Sequence, residues 1–199
     1  MDRVQRTINY YNKAGRNWAE GHTSQSWWLK EIKLFRRLLP RGKVLEIGAG
    51  PGRDAKALID QGYEYVGTDA SKEVVKLAKE INPGIEFLQM EAERLDFPAD
   101  SFDGFWASAV LPHIPKDSID GVLKKLGSVC KKGAVGFMAM KEGNEEKEEK
   151  KTGRWFAFYS EEEFRQITDR NNMETIKVVH KKEPRPNSPD WLVFYVRVK

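Results

Sequence analysis

Nine residues, EIGAGPGRD from Glu46 to Asp54, set three glycines within five positions between a short apolar run and a charged pair. A turn like this between a buried strand and a helix gathers backbone amides where a negatively charged ligand group can rest. Glycine there permits unusual backbone angles and a close approach of ligand to chain. Asp69 follows roughly 20 residues later, the distance at which a carboxylate can accept hydrogen bonds from ribose hydroxyls. His113, in ASAVLPHIP, is the best placed of the three histidines to act as a general base, which requires it to sit within ~3 Å of the proton it removes. His22 and His180 have less claim, and three dispersed histidines with one cysteine offer no recognisable metal-ligand spacing.

Several ligand classes use a glycine turn. The dinucleotide pattern Gly-x-Gly-x-x-Gly is met at Gly48 and Gly50 but has Arg53 at its third glycine, and the extra glycine is Gly52. No Gly-Lys-Ser/Thr follows, which excludes a P-loop.

The elements that would hold these residues alternate. The pattern predicts a helix over Trp27–Leu39, closed by Pro40 and Gly42, then a short buried strand KVLEI, the glycine turn, and a helix AKALIDQG ending at Gly62. Strand YEYVGTD, helix KEVVKLAKEI with Ser71 as N-cap, and strand IEFLQM after Asn82-Pro83-Gly84 continue the alternation. A buried strand from Phe102, an amphipathic helix IDGVLKKLGSVCKKG carrying Cys130, and the strand AVGFMAM come next. Such alternation implies a parallel sheet with helices on both faces. EGNEEKEEKKTG, Glu142 to Gly153, reads as a solvated loop, with a lid beside a site as the sharper reading. Ser160 and Glu163 form a capping box before another helix. METIKVV and WLVFYVRV, joined by KKEPRPNSPD, suit a hairpin, so the last strand is expected to run antiparallel to its neighbour.

Composition bounds the rest. The 199 residues, 40% hydrophobic and 32% charged with six tryptophans, suit one packed domain and would cramp two. A net charge of +4 favours anionic partners without demonstrating one. The single cysteine excludes an internal disulfide framework and fits a reducing compartment. No apolar signal core or membrane-spanning run is evident, so a cytoplasmic protein with no membrane association is expected.

The ordered set of motifs resembles class I S-adenosylmethionine-dependent methyltransferases of the small-molecule type. Glu46 with Gly48, Gly50 and Gly52 matches the first family motif, and GTDASKEVVKLAKE the second. Gln89 to Ser108 resembles the stretch where the family binds adenine and enters its fourth strand. The likeness covers roughly Tyr10 to the C-terminus, strongest from Val44 to His113. It implies an α/β Rossmann-like, seven-stranded, mostly parallel sheet with helices on both faces and an antiparallel last strand. The whole chain would be one domain: N-terminal helices and lid over 1–42, a cofactor-binding core over 43–140, and a C-terminal part over 141–199.

The same resemblance assigns S-adenosylmethionine as cofactor. Gly48, Ala49 and Gly50 would line its methionine part, Asp69 would hold the ribose with Ala70 beside it, and Glu91 and Ala92 would lie near the adenine. Ser108 would end the strand beneath, Glu46 would organise the turn, Arg53 and Asp54 could reach the methionine end, and Tyr11 would lie near the cofactor carboxylate. By analogy, Trp18, Trp106, Arg154, Phe156 and Tyr159 could line an acceptor pocket, beside His113.

Methyl transfer from a sulfonium is an in-line displacement on an activated donor, so alignment is the main task and a base is optional. The chain lacks both the Asp/Asn-Pro-Pro-aromatic motif of amino-methylating DNA enzymes and the Pro-Cys of cytosine-carbon enzymes. A small-molecule acceptor is therefore expected. The other readings are an RNA or protein acceptor, and a cofactor-binding protein without catalysis.

Overall fold

The computed structural model describes residues 2–20, 26–186 and 188–199, without the side chains of Trp18 and Glu20. Two helices, α1 (Arg3–Glu20) and α2 (Leu29–Leu38), precede β1 (Lys43–Ile47), α3 (Ala55–Ile59), β2 (Glu64–Asp69), α4 (Lys72–Ile81) and β3 (Phe87–Gln89). Then come β4 (Phe102–Ser108), α5 (Ile119–Val129), β5 (Cys130–Lys141), a small hairpin of β6 (Glu146–Glu148) and β7 (Trp155–Ala157), α6 (Glu161–Arg170), β8 (Met173–Lys181) and β9 (Trp191–Val198).

Seven strands form one sheet in the order β3-β2-β1-β4-β5-β9-β8. Strands β1 to β5 are parallel, as their helical crossovers require. β9 runs antiparallel to both β5 and β8, the reversal that the proline-rich connector between β8 and β9 forces. The order turns back between β1 and β4, and in open α/β sheets a ligand crevice lies outside the carboxyl ends of the strands at that point.

Period-two alternation sorts the strand residues between two cores. Leu45, Ile47, Phe105, Ala107, Met138 and Phe194 face α5 and α6 on one side of the sheet. Val44, Trp106, Phe137, Ala139 and Tyr195 face α2 and α3 on the other. The α4 cap is as read: Ser71 Oγ accepts the Val74 amide at 3.2 Å. Ser160 Oγ likewise accepts the Glu163 amide at 3.1 Å, while the Glu163 carboxylate turns to Lys116 Nζ at 2.8 Å.

Two expectations change. Cys130 does not lie on the helix; α5 ends at Val129, and Cys130 opens β5 by pairing with Phe102. Burial pushes its thiol up to about 12, so it is not a reactive group. The charged stretch from Glu142 remains largely solvated but is not all loop: Glu146–Glu148 form β6, which pairs with β7 beyond it, because some of its charges find partners elsewhere in the chain. Arg6 pairs with Glu148 at 2.7 Å, Arg154 with Glu149 at 2.9 Å, and Glu146 accepts the Lys116 amide at 2.9 Å.

Candidate active site

At the carboxyl end of β1, Gly48, Gly50 and Gly52 hold φ of 65°, 58° and 80°, the left-handed region that disfavours any side chain. A Cβ on Gly48 would also fall 2.4 Å from Val110 Cγ2, so the turn lies directly against the loop after β4. The Gly50 amide donates to Asp69 Oδ2 at 3.0 Å, and the Ser71 amide to Asp69 Oδ1 at 2.9 Å. Asp69 thereby ties the turn to the end of β2. Burial raises its pKa, and the two amides pull it back. Glu46 is buried beneath the turn, where Tyr65 donates to its Oε2. Burial first, then the Asp54 charge, hold its carboxyl well above the usual range.

The turn opens into a cavity of about 770 Å³. Every position that the family likeness marks for the cofactor borders it: Glu46, Gly48, Ala49, Gly50 and Arg53, then Asp69 and Ala70, then Glu91, Ala92 and Ser108. The Ser108 hydroxyl is buried there with no hydrogen-bond partner among the described residues. A glycine turn no side chain can fill, a carboxylate at its rim and an orphaned hydroxyl fit a nucleoside bearing an amino-acid chain. Among the described residues no group of histidine, cysteine and carboxylates is arranged to hold a metal, and no helix is long and apolar enough to cross a membrane.

The cavity continues past the turn under a roof of α1 and the hairpin. There Tyr11, His113, Arg154 and Phe156 meet. His113 Nδ1 lies 2.8 Å from the Trp155 carbonyl, which can only accept, so Nδ1 carries the proton. Its Nε2, 2.9 Å from the Tyr11 hydroxyl, then accepts from it, and the Tyr11 oxygen takes a bond from Arg154 Nη1 at 3.2 Å. Both ring nitrogens are thus engaged within the roof. Burial lowers the His113 pKa to about 4, with the Arg154 charge adding to it, although the Trp155 carbonyl favours the protonated ring. Burial likewise raises the Tyr11 pKa.

A pH dependence follows. The unfolded chain protonates its histidine below about pH 6.5, whereas folded His113 resists until about pH 4. Stability is full above pH 6.5 and falls by about 3 kcal/mol through this group as pH drops to 4. Urea unfolding at pH 7 and pH 4 is expected to show a fall smaller by that amount in His113→Gln; equal falls in the two proteins would refute the assignment.

Two of the residues expected in the acceptor pocket lie elsewhere. Trp106 does not reach the cavity: alternation turns it to the α2 side of β4, where it stacks on Phe137 at 3.6 Å and donates to Asp54 Oδ2 at 3.0 Å. Tyr159 is also fully buried and packs against Phe164, 5.1 Å between ring centres. Arg154 and Phe156 do border the cavity, and the side chain of Trp18 lies outside the described residues, as does His22. Sequence reasoning missed Trp28, Lys141, Glu183 and Trp191, which form a further wall. The paired tryptophans at Trp27 and Trp28 were the one available signal, and they read equally as a helix's apolar face.

The sheet order, the glycine turn and the carboxylate at the end of the second strand together give the chain the fold of the class I S-adenosylmethionine-dependent methyltransferases. Residues 44–133 match a family described as a methyltransferase domain. Among relatives, an uncharacterized protein of Methanocaldococcus jannaschii is 36% identical over 104 residues, covering 50% of this chain and 48% of that one. The chain thus spans about half the length of that relative. The phosphatidylethanolamine N-methyltransferase of Cereibacter sphaeroides is 28% identical over 169 residues, covering 78% and 79%. In fold, the chain is similar to the Burkholderia thailandensis 1,6-didemethyltoxoflavin-N1-methyltransferase, whose crystal structure holds 1,6-didemethyltoxoflavin and S-adenosylhomocysteine. The TM-score is 0.81 at 20% identity, covering 98% of this chain and 88% of that one.

Proposed function

We propose that the protein transfers a methyl group from S-adenosylmethionine to a small-molecule acceptor by in-line displacement. The observation that carries this reading is the continuity of one cavity, from the glycine turn and Asp69 to an aromatic half walled by Tyr11, Phe156 and Phe158. A covered, aromatic-lined pocket favours a compact acceptor. The 1,6-didemethyltoxoflavin bound to the Burkholderia protein is consistent with that class.

When bound, the cofactor supplies a methyl group already activated by its positive sulfur. This chain's part is positioning. The glycine turn and Asp69 hold the donor, the roof excludes water, and the β4 loop at Ser108–His113 sets the direction of approach. His113 is assigned a positioning role, holding Tyr11 and the hairpin, because its nitrogens are spent on them. A cytoplasmic location is proposed on the single, buried cysteine.

Calorimetry is expected to show binding of S-adenosylmethionine and S-adenosylhomocysteine. Tritiated methyl should then enter the small-molecule fraction of a cell extract. Label confined to macromolecules would reject the acceptor class, and absence of binding would reject the cofactor reading.

A further inference from the structure

Among the described residues, each phenylalanine, tyrosine and tryptophan that borders the cavity carries one of the chain's own cations over a ring face. Lys141 Nζ stands 3.9 Å from the ring centre of Trp191, and Lys147 Nζ 5.3 Å from that of Phe158. The Arg154 guanidinium covers Phe156 at 5.0 Å and Tyr11 at 5.8 Å, while Lys181 Nζ covers Trp27 at 3.9 Å and Trp28 at 4.6 Å. An aromatic pocket that receives an ammonium offers it bare ring faces. Here an incoming cation meets like charge instead.

The carboxylates of this region are committed as well. Among the described residues of β5, the hairpin and the β8–β9 connector, Lys141, Lys147, Arg154 and Arg185 border the cavity, against the carboxylates Glu149 and Glu183. Glu149 accepts Arg154 Nη2 at 2.9 Å and the Thr152 hydroxyl, and Lys147 is paired with Glu145. Glu183 accepts Lys141 Nζ at 2.5 Å, Trp191 Nε1 at 2.8 Å, Arg185 Nε and Nη2 at 3.0 Å each and the Arg185 amide at 3.2 Å. Asp190, further along the connector, is taken by Lys182 Nζ at 2.7 Å and the Glu183 amide at 3.0 Å.

Donors remain where acceptors do not. Lys141 Nζ and Arg185 Nη2 bond the same oxygen, Glu183 Oε2, so two positive charges stand beside one negative charge. An ammonium has three N–H groups, and Glu183 with the Pro189 carbonyl uses two of those on Lys141. Arg185 Nη1 makes no hydrogen bond among the described residues, its neighbours Nε and Nη2 being turned to Glu183. The Lys141 side chain is 10% exposed and that of Arg185 68%, so one cation is desolvated and the other open to an arriving ligand.

We propose that the methyl acceptor is an acid, whose carboxylate or phosphate group is received by Lys141 and Arg185. These two residues then set the charge class of the substrate. An anion uses the spare donors and offsets the excess positive charge, whereas a cation would have to displace Lys141 or Arg185 from Glu183. The inference rests on the small-molecule reading above and deepens it.

The small-molecule fraction of a cell extract, passed at pH 8 over an anion exchanger, divides into retained and unretained material. Each is offered to the wild-type protein with tritiated S-adenosylmethionine, and label is expected from the retained fraction. Alkaline phosphatase treatment of that fraction tells the two acid groups apart: it removes labelling of a phosphate monoester and leaves that of a carboxylate unchanged. In Arg185→Gln, which leaves Lys141 paired with Glu183, the amount of retained fraction that half-saturates the enzyme rises about tenfold at unchanged maximal rate. Arg185→Lys recovers part of that loss, and S-adenosylhomocysteine binds all three proteins alike. As much label from the unretained fraction as from the retained one, or an unmoved half-saturation in Arg185→Gln, would overturn the proposal. Wild-type protein that binds S-adenosylhomocysteine but labels neither fraction would instead overturn the small-molecule reading on which it rests.

Discussion

Asp69→Ala is expected to weaken S-adenosylmethionine binding by at least about a hundredfold. Two contributions add. A carboxylate that accepts both hydroxyls of a ribose makes two charge-assisted hydrogen bonds, worth about 1.5–3 kcal/mol each. The same carboxylate also accepts the Gly50 and Ser71 amides, at 3.0 and 2.9 Å, so its loss frees the turn that faces the ligand. Asp69→Asn separates the two, since an amide still accepts through one oxygen but no longer carries charge. It should fall between wild type and Asp69→Ala in a calorimetric titration. Wild-type affinity in Asp69→Ala would refute the role given to this residue.

The second large effect concerns stability. Glu183 is 4% exposed by its side chain and Lys141 10%, and their charged atoms lie 2.5 Å apart. Glu183 also accepts Trp191 Nε1 at 2.8 Å and Arg185 Nη2 at 3.0 Å, and the Arg185 contact leads in holding its pKa well below the usual carboxylate range. Burial lowers the Lys141 pKa despite this partner. In Glu183→Ala the ammonium would keep, among the described residues, the Pro189 carbonyl at 2.8 Å, the face of Trp191 at 3.9 Å and the more distant charge of Asp190. Stranding a buried charge costs about 3–5 kcal/mol, a fall in Tm of roughly 10 °C for a chain this long. The double variant Lys141→Met/Glu183→Gln should recover much of it, because no charge is then left unpaired. A Tm change below about 2 °C in Glu183→Ala would show the pair to be solvated. Because this cluster fastens the β8–β9 connector to the cavity wall, the variant is also expected to bind acceptor less well than cofactor.

Strand and helix order was legible because local patterns carry it. Apolar runs of five to seven residues, glycine and proline breaks, and serine caps each act within a turn or two of chain, and Ser71 and Ser160 cap as their spacing predicts. Cys130 was misplaced because the amphipathic pattern of α5 runs on into KKG, and only the ladder to Phe102 shows where the helix stops. The charged segment was misread for a related reason. A run of glutamates and lysines is soluble by composition, and its order comes from Arg6, Lys116 and Thr7, far away in sequence.

The sequence by itself determined the conformation of the glycine turn. Three left-handed positions demand glycine wherever the chain folds, and the carboxylate that closes them is fixed by strand length. What faces the cavity was decided by the tertiary structure. Trp106 and Trp28 are both buried tryptophans, and no local pattern says that one stacks in the core behind Asp54 while the other borders the ligand space. That depends on which side of β4 each strand residue falls and on where α1, the hairpin and the β8–β9 connector come to rest. These are contacts across more than a hundred residues, such as Tyr11 with His113 and Lys181 with Glu31, and they are set by packing and charge rather than by propensity.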